Sequence, residues 1–216
     1  MNLLSREPNQ FRLTAVILIK YLKDGTAALL LVMFGVFFYG GIMNIWLKEL
    51  SINDGKEYFD VLMTLSKYPD VFARPVPEDF TEEEYPTFLD LRCKLRNGEI
   101  KGYIPANTYW VMLDDKPIGY AILKHNANLE KPGGHFGCSL LKEYQNKGIG
   151  LVVSEMLSKI AYDELKLDNV IYTSKDENIQ SQKSLDKIGA TLVSTHDGYR
   201  YYVVNLKEKY ENMKGR

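Results

Sequence analysis

Gln145-Asn146-Lys147-Gly148-Ile149-Gly150 is the stretch on which the reading of this chain turns. It separates an apolar, strand-like run (His135 to Leu141) from a long amphipathic segment that begins at about Ile149. A glycine turn that feeds a helix presents unpaired backbone N–H groups and the positive end of the helix dipole to a bound anion. Glycine also lets a phosphate approach backbone that a Cβ would block. Two familiar phosphate loops are excluded. A P-loop ends in Gly-Lys-Ser/Thr, whereas Leu151 and Val152 follow Gly150, and a dinucleotide fingerprint needs a third glycine where Val153 stands.

Working outward, Ile149, Val152, Val153, Met156, Leu157, Ile160, Ala161 and Leu165 recur at helical spacing and form one apolar face, opposite Glu155, Lys159 and Asp163. Asp168 to Thr173 then reads as a buried strand, so the turn lies inside a β-loop-α-β unit. Asn178 to Ala190 reads as a short helix with a glycine C-cap at Gly189.

These two motifs, in this order, resemble the GNAT superfamily of N-acetyltransferases. The family signature is Arg/Gln-x-x-Gly-x-Gly/Ala, then a helix carrying Asn-x-x-Ala/Ser and ending in Lys-x-Gly-Phe. Gln145, Gly148, Gly150, Asn178, Ser181, Lys187 and Gly189 match it, and Ala190 stands where an aromatic residue is usual. Upstream, Pro105, Thr108 and Trp110 and the run Gly133-Gly134-His135-Phe136-Gly137 are similar to a bacterial branch of predicted acetyltransferases. The resemblance covers residues 43 to 206 and implies an α/β (α+β) fold, with a mixed, mostly antiparallel central sheet flanked by helices.

It also implies a chemistry: acetyl-coenzyme A binds between two central strands as co-substrate, and its acetyl group passes directly to a primary amine of a small molecule or peptide. Leu140 and Leu141 would pair their backbone with the pantetheine amides. The amides of Gln145, Asn146, Lys147, Gly148, Ile149, Gly150 and Leu151 would hold the pyrophosphate, with charge added by Lys142 and Lys147. Asn178 and Ser181 would serve the pantetheine arm, although an asparagine there is equally a helix N-cap. A backbone N–H near Leu140 is the expected oxyanion donor. Relatives use a tyrosine on the second helix as acid, but Ser184-Leu185 occupies that place here, which leaves Tyr144 and Tyr172 as neighbouring tyrosines. His135, a histidine within an apolar strand, is the first candidate base, ahead of His125 and Glu143. A route through an acetyl-Cys138 lacks a paired histidine and acid.

Composition narrows the partners. Lys plus Arg number 27 against 28 acidic residues, so there is no basic field for nucleic acid. Cys93 and Cys138 form no CxxC pair and read as buried thiols of a reducing, cytoplasmic compartment, and three histidines without ligand spacing predict no metal. A homodimer stays open.

The first 42 residues form an apolar extension. No charge occurs from Thr26 to Leu47, long enough to span a bilayer. Lys20 and Lys23 would orient such a span so that the following domain lies outside, away from acetyl-coenzyme A. A mis-assigned start removes the conflict: Gly40-Gly41-Ile42 codons can spell a ribosome-binding sequence just before Met43. The expectation is therefore a mis-assigned start or a membrane anchor. Within residues 43 to 206, Ser51 or Asn53 is expected to cap a helix to about Lys67, Thr81-Glu82-Glu83-Glu84 to form a capping box, and Thr191–Ser194 with Tyr199–Asn205 a hairpin. Residues 207–216 read as a charged, fraying tail.

Overall fold

Alternating and helical apolar periods both appear as expected in a computed structural model, which describes residues 13–19, 30–38, 41–68, 75–130 and 133–214. In chain order these are β1 (Leu13–Ile19), β2 (Leu30–Phe38), β3 (Gly41–Glu49), α1 (Lys56–Ser66), α2 (Tyr85–Arg96), β4 (Ala106–Leu113), β5 (Lys116–Lys124), β6 (Phe136–Leu140), α3 (Ile149–Asp163), β7 (Asn169–Lys175), α4 (Ile179–Lys187), β8 (Thr191–His196), β9 (Tyr199–Asn205) and α5 (Leu206–Lys214). Strands β1 to β6 form one antiparallel sheet in sequence order, and β7, β9 and β8 form a second. This is the mixed α/β, antiparallel architecture that the sequence implies.

Successive residues of a strand point to opposite faces, and β4 divides its side chains between two cores accordingly. Tyr109 and Val111 pack with α3, α5 and the second sheet. Trp110 and Met112 pack with Tyr58, Leu62, Tyr85 and Leu89 of α1 and α2. Burial of each large apolar side chain contributes about 1.5–3 kcal/mol, so α1 and α2 hold one face of the sheet while α3 and α5 hold the other. At the start of α1, buried Asp54 accepts bonds from Trp110 Nε1 (2.6 Å) and the Ser51 N–H (2.8 Å) and pairs with Lys48. The cap is thus not Ser51 or Asn53: the residue before α1 is Gly55, and Asp54 instead closes the turn ahead of it.

Several other expectations change. Glu84 reaches back to the Thr81 N–H at 2.8 Å, the reciprocal half of the capping box, but Pro86 shifts the helix start to Tyr85. Residues 206–214 are a helix, not a frayed tail: Leu206 and Tyr210 are buried, Tyr210 packs on Tyr162 at 5.2 Å, and Lys209 bonds Glu155 at 2.6 Å. The uncharged run proposed as a membrane span supplies β2 and β3, and the first sheet begins before Met43; its residues 26–29, 39 and 40 lie outside the described residues. Among the described residues no helix is long and apolar enough to cross a membrane. Cys93 is half-buried and Cys138 exposed, so neither is the buried thiol expected.

The two sheets meet at residues 133–135. A Cβ on Gly134, whose φ is +35°, would sit 2.5 Å from the Ile171 carbonyl oxygen. Gly134→Ala should therefore cost on the order of 2 kcal/mol in urea unfolding. At Gly137 a Cβ would meet nothing within 4 Å, and Gly137→Ala should leave stability unchanged or slightly raised.

Candidate functional site

No ladder joins β6 to β7, although α3 connects them and they approach at their beginnings. At that approach the His135 N–H donates to Ile171 O (2.8 Å), the Ile171 N–H donates to His135 Nδ1 (2.9 Å), and the Gly133 N–H donates to Thr173 Oγ1 (2.9 Å). Beyond it, β6 pairs only with β5. The bond from the Leu141 N–H to Ile118 O fixes the phase of that ladder. With Tyr120 opposite Ser139 and Ile122 opposite Gly137, alternation turns the N–H and C=O of Cys138 and Leu140 away from β5, toward the gap. Leu140 O bears this out, since it accepts from Gln145 Nε2 (2.8 Å) rather than from the sheet.

The turn after β6 is built to leave backbone uncovered. Lys142–Tyr144 make one 3₁₀ turn, Asn146 has φ 61°, and Gly148, with φ 78°, precedes α3. A Cβ at Gly148 or Gly150 would meet nothing within 4 Å, so the first turn of α3 faces open space. Asn146 Oδ1 accepts from Gln180 Nε2 of α4, and the two sequence motifs thereby meet across the gap. The residues present fit a ligand with an amide-bearing arm and a pyrophosphate: a free strand edge for the first and a helix N-terminus with bare glycines for the second.

The other expected residues are distributed as follows. Gln145, Lys142 and Lys147 are exposed at the turn, while Leu140 and Ile149 bury their side chains and can offer only backbone. Leu141, expected to pair with the pantetheine arm, has no backbone group free, since its N–H donates to Ile118 O and its C=O accepts from the Tyr144 N–H at 2.8 Å. Leu151 is half-buried. Asn178 caps α4, accepting from the Ser181 N–H at 3.0 Å. Tyr144 is half-buried after β6, its ring flanked by Lys147 and Lys116 at 5.8 and 5.9 Å. Tyr172 is removed from the chemistry because its buried hydroxyl bonds Ser158 Oγ (3.0 Å) and burial pushes its ionisation far up. His125 Nε2 faces Asn107 Oδ1 at 2.5 Å, outside the gap. Cys138 is exposed on the α3 side of β6.

A family model described as an acetyltransferase (GNAT) domain matches residues 44–191, more than half of the chain. The chain belongs to the GNAT acetyltransferase family. Its domain is that of an acetyltransferase. Solved structures with the same fold include a probable acetyltransferase (17% identity, TM-score 0.60, covering 76% of this chain and 94% of that one). Another is the Campylobacter jejuni N-acetyltransferase PseH in complex with acetyl coenzyme A (15%, 0.52, 74% and 98%). A GNAT-family acetyltransferase from Bacillus anthracis is also similar (21%, 0.53, 76% and 95%). No curated protein matches the chain.

Two residues at the gap carried no mark in the sequence reading. Tyr68 accepts the Lys142 N–H at 3.0 Å and steadies the turn from the α1 side. Gln180 had a signal, its place between Asn178 and Ser181, but not a partner. His135 carries the larger correction. Its ring is 5% exposed, and an Nδ1 that accepts from Ile171 has no lone pair left for a substrate proton. Burial, aided by Lys124, lowers its pKa below the ordinary 6.5.

That shift fixes a sign. The unfolded chain takes up the His135 proton near pH 6.5 and the folded protein only at lower pH, so stability is full above 6.5 and falls as pH drops through it. His135→Asn can still accept from Ile171 without titrating. Its thermal midpoint should fall less between pH 7.5 and 5.5 than that of the wild type, and equal slopes would remove His135 from the account.

Proposed function

We propose that this GNAT protein transfers the acetyl group of acetyl-coenzyme A directly to a primary amine of a small molecule or peptide. The observation that carries this reading is the free β6 edge, which runs without interruption into the bare glycine turn before α3. Along that line the Cys138 and Leu140 backbone pairs with the pantetheine amides, and the amides of Gln145 to Leu151 receive the pyrophosphate. Asn178 and Ser181 flank the arm from α4.

In the transfer the amine nitrogen attacks the thioester carbonyl, the C–N bond forms, and the oxyanion is held by the Leu140 N–H. The C–S bond then breaks, the amine loses a proton, and the thiolate gains one. Tyr144 is the acid we assign, because Leu185 occupies the family's usual tyrosine position and is 5% exposed within the core. We assign His135 to the sheet junction rather than to proton removal. No neighbouring charge or hydrogen bond among the described residues favours the Cys138 thiolate, which argues against an acetyl-Cys138 intermediate. A cytoplasmic setting follows from the supply of acetyl-coenzyme A. The replaced tyrosine favours one alternative, a module that binds acyl-coenzyme A without transferring the acyl group.

Release of free thiol on mixing acetyl-coenzyme A with a panel of amines separates the two readings; binding by calorimetry without release would leave only the module. Gly150→Glu places its side chain in open space at the start of α3, where an acid suits the helix dipole, so its thermal midpoint should stay within about a degree of wild type, while repulsion of the pyrophosphate lowers acetyl-coenzyme A affinity at least tenfold. Retained affinity would move the pyrophosphate elsewhere. Tyr144→Phe should lower kcat by about 10²-fold with little change in cofactor affinity, and an unaltered kcat would sink the acid assignment.

A further inference from the structure

The two faces of β6 differ. Phe136 and Leu140 point toward α3, with Cys138 between them on that face, whereas Gly137 and Ser139 point to the α1/α2 side. On that side a Cβ at Gly137 would meet nothing within 4 Å, so the surface over the middle of β6 is open. Its wall is unusual. Tyr120, directly across the ladder from Ser139, is 3% exposed, and its hydroxyl has no hydrogen-bond partner. Thr108 Oγ1 is likewise buried without a well-formed bond, and it lies beside the Tyr120 hydroxyl, near enough for the two to interact. Arg92 turns inward from α2, with its guanidinium 5.0 Å from the Phe88 ring centre and 5.9 Å from that of Tyr120. Its Nε is buried without a partner, and among the described residues it forms no ion pair.

An inward arginine is seldom left without an acid, and unmade bonds of buried polar atoms each cost about 1–3 kcal/mol. Here a guanidinium and two neighbouring hydroxyls converge with no carboxylate among the described residues to receive them, one strand away from the point where the acetyl group is delivered. Two hydroxyl donors beside a planar guanidinium suit a carboxylate, which accepts from several donors at once. We propose that Arg92, Tyr120 and Thr108 form a subsite for a carboxylate of the acceptor, so that the substrate is an amine carrying a carboxylate a few bonds from the reacting nitrogen. This rests on the acetyl-transfer reading above, with the acceptor approaching over the open face of β6.

Two measurements test it. The first needs no substrate: Arg92→Met, Tyr120→Phe and Thr108→Val remove polar atoms that make no well-formed bond in the free protein. Their thermal midpoints should equal or exceed that of the wild type, and a fall of several degrees in all three would make the cluster structural and overturn the proposal. The second offers amino acids and the matching amino-acid amides, which differ only at the carboxylate. The wild type should favour the acids in kcat/KM by at least tenfold, mainly through KM, and Arg92→Met should abolish that preference while still binding acetyl-coenzyme A. Preference for the amides, or a preference that Arg92→Met leaves intact, would overturn the subsite and leave acetyl transfer standing. If neither series releases thiol, the acetyl-transfer reading fails instead. Calorimetric titration of acids and amides into the acetyl-coenzyme A complex then still reads the subsite, and amides bound as tightly as acids would reject it.

Discussion

A sheet that parts in the middle needs a place where the parting begins, and here that place is His135 against Ile171. One strand-forming contact is made by backbone, from the His135 N–H to Ile171 O, and the next is made by a side chain, from the Ile171 N–H to Nδ1. The imidazole stands where a carbonyl of β6 would stand in a continuous ladder. It satisfies Ile171 and lets β6 continue along β5 alone. The gap-side backbone of β6 is thereby released from β7, with only the Leu140 carbonyl taken up again, by Gln145 Nε2. Unpaired backbone groups are costly away from water, so the gap is a site that gains by receiving an extended ligand with amides of its own. The glycine turn lies at the far end of the same strand, and a single constraint thus aligns the strand-like and anion-binding parts of the site.

The two cores keep the parting from spreading. On one face, α1 and α2 clamp β4 and β5 through Trp110, Met112 and Tyr120, and Asp54 fixes the entry of α1 by bonding the Trp110 indole. On the other face, α3 packs on both sheets at once, since Val152, Val153, Met156 and Leu157 share a cluster with Val111 of the first sheet and Val170 and Val204 of the second. That helix is the same one whose first turn faces the gap. Apolar burial along its length therefore holds its N-terminus in position, and the anion-binding end needs no contacts of its own to stay there.

The local signals in the sequence were legible where one element suffices to determine them. The 3.6-residue period gave α3, and Asn178 and Gly189 bracketed α4. What escaped depended on distant partners. A histidine in an apolar strand looks the same whether it titrates or spans a sheet junction, and only Ile171, 36 residues away, decides between them. Residues 206–214 carry a charged, low-apolar composition that cannot hold a helix by itself, and they do so because Tyr210 docks on Tyr162. Cys138 alternates onto the α3 face as a core residue would, yet the departure of β7 leaves it exposed. Pro86 was ambiguous for a similar reason, since a proline fits the first turn wherever the packing of Tyr85 and Phe88 sets the start.

Strand alternation also divides the chemistry between the two faces of β6. Cys138 lies on the α3 side, where the second helix of the family motif approaches, and that side holds Leu185 in its core. Ser139 lies on the α1/α2 side, opposite Tyr120. In the proposed arrangement a donor threaded along the gap edge would meet the first side with its arm, and an acceptor on the open second side would reach the same backbone from above. Loss of the tyrosine at the Ser184-Leu185 position is then a change to the donor side alone. In the proposed reaction the source of the thiolate's proton then lies toward the turn, where Tyr144 sits between Lys116 and Lys147, and the acceptor's proposed surroundings are α2 and β5. The motifs that mark the family lie on the donor side, which is why they identify the cofactor so much more sharply than the amine.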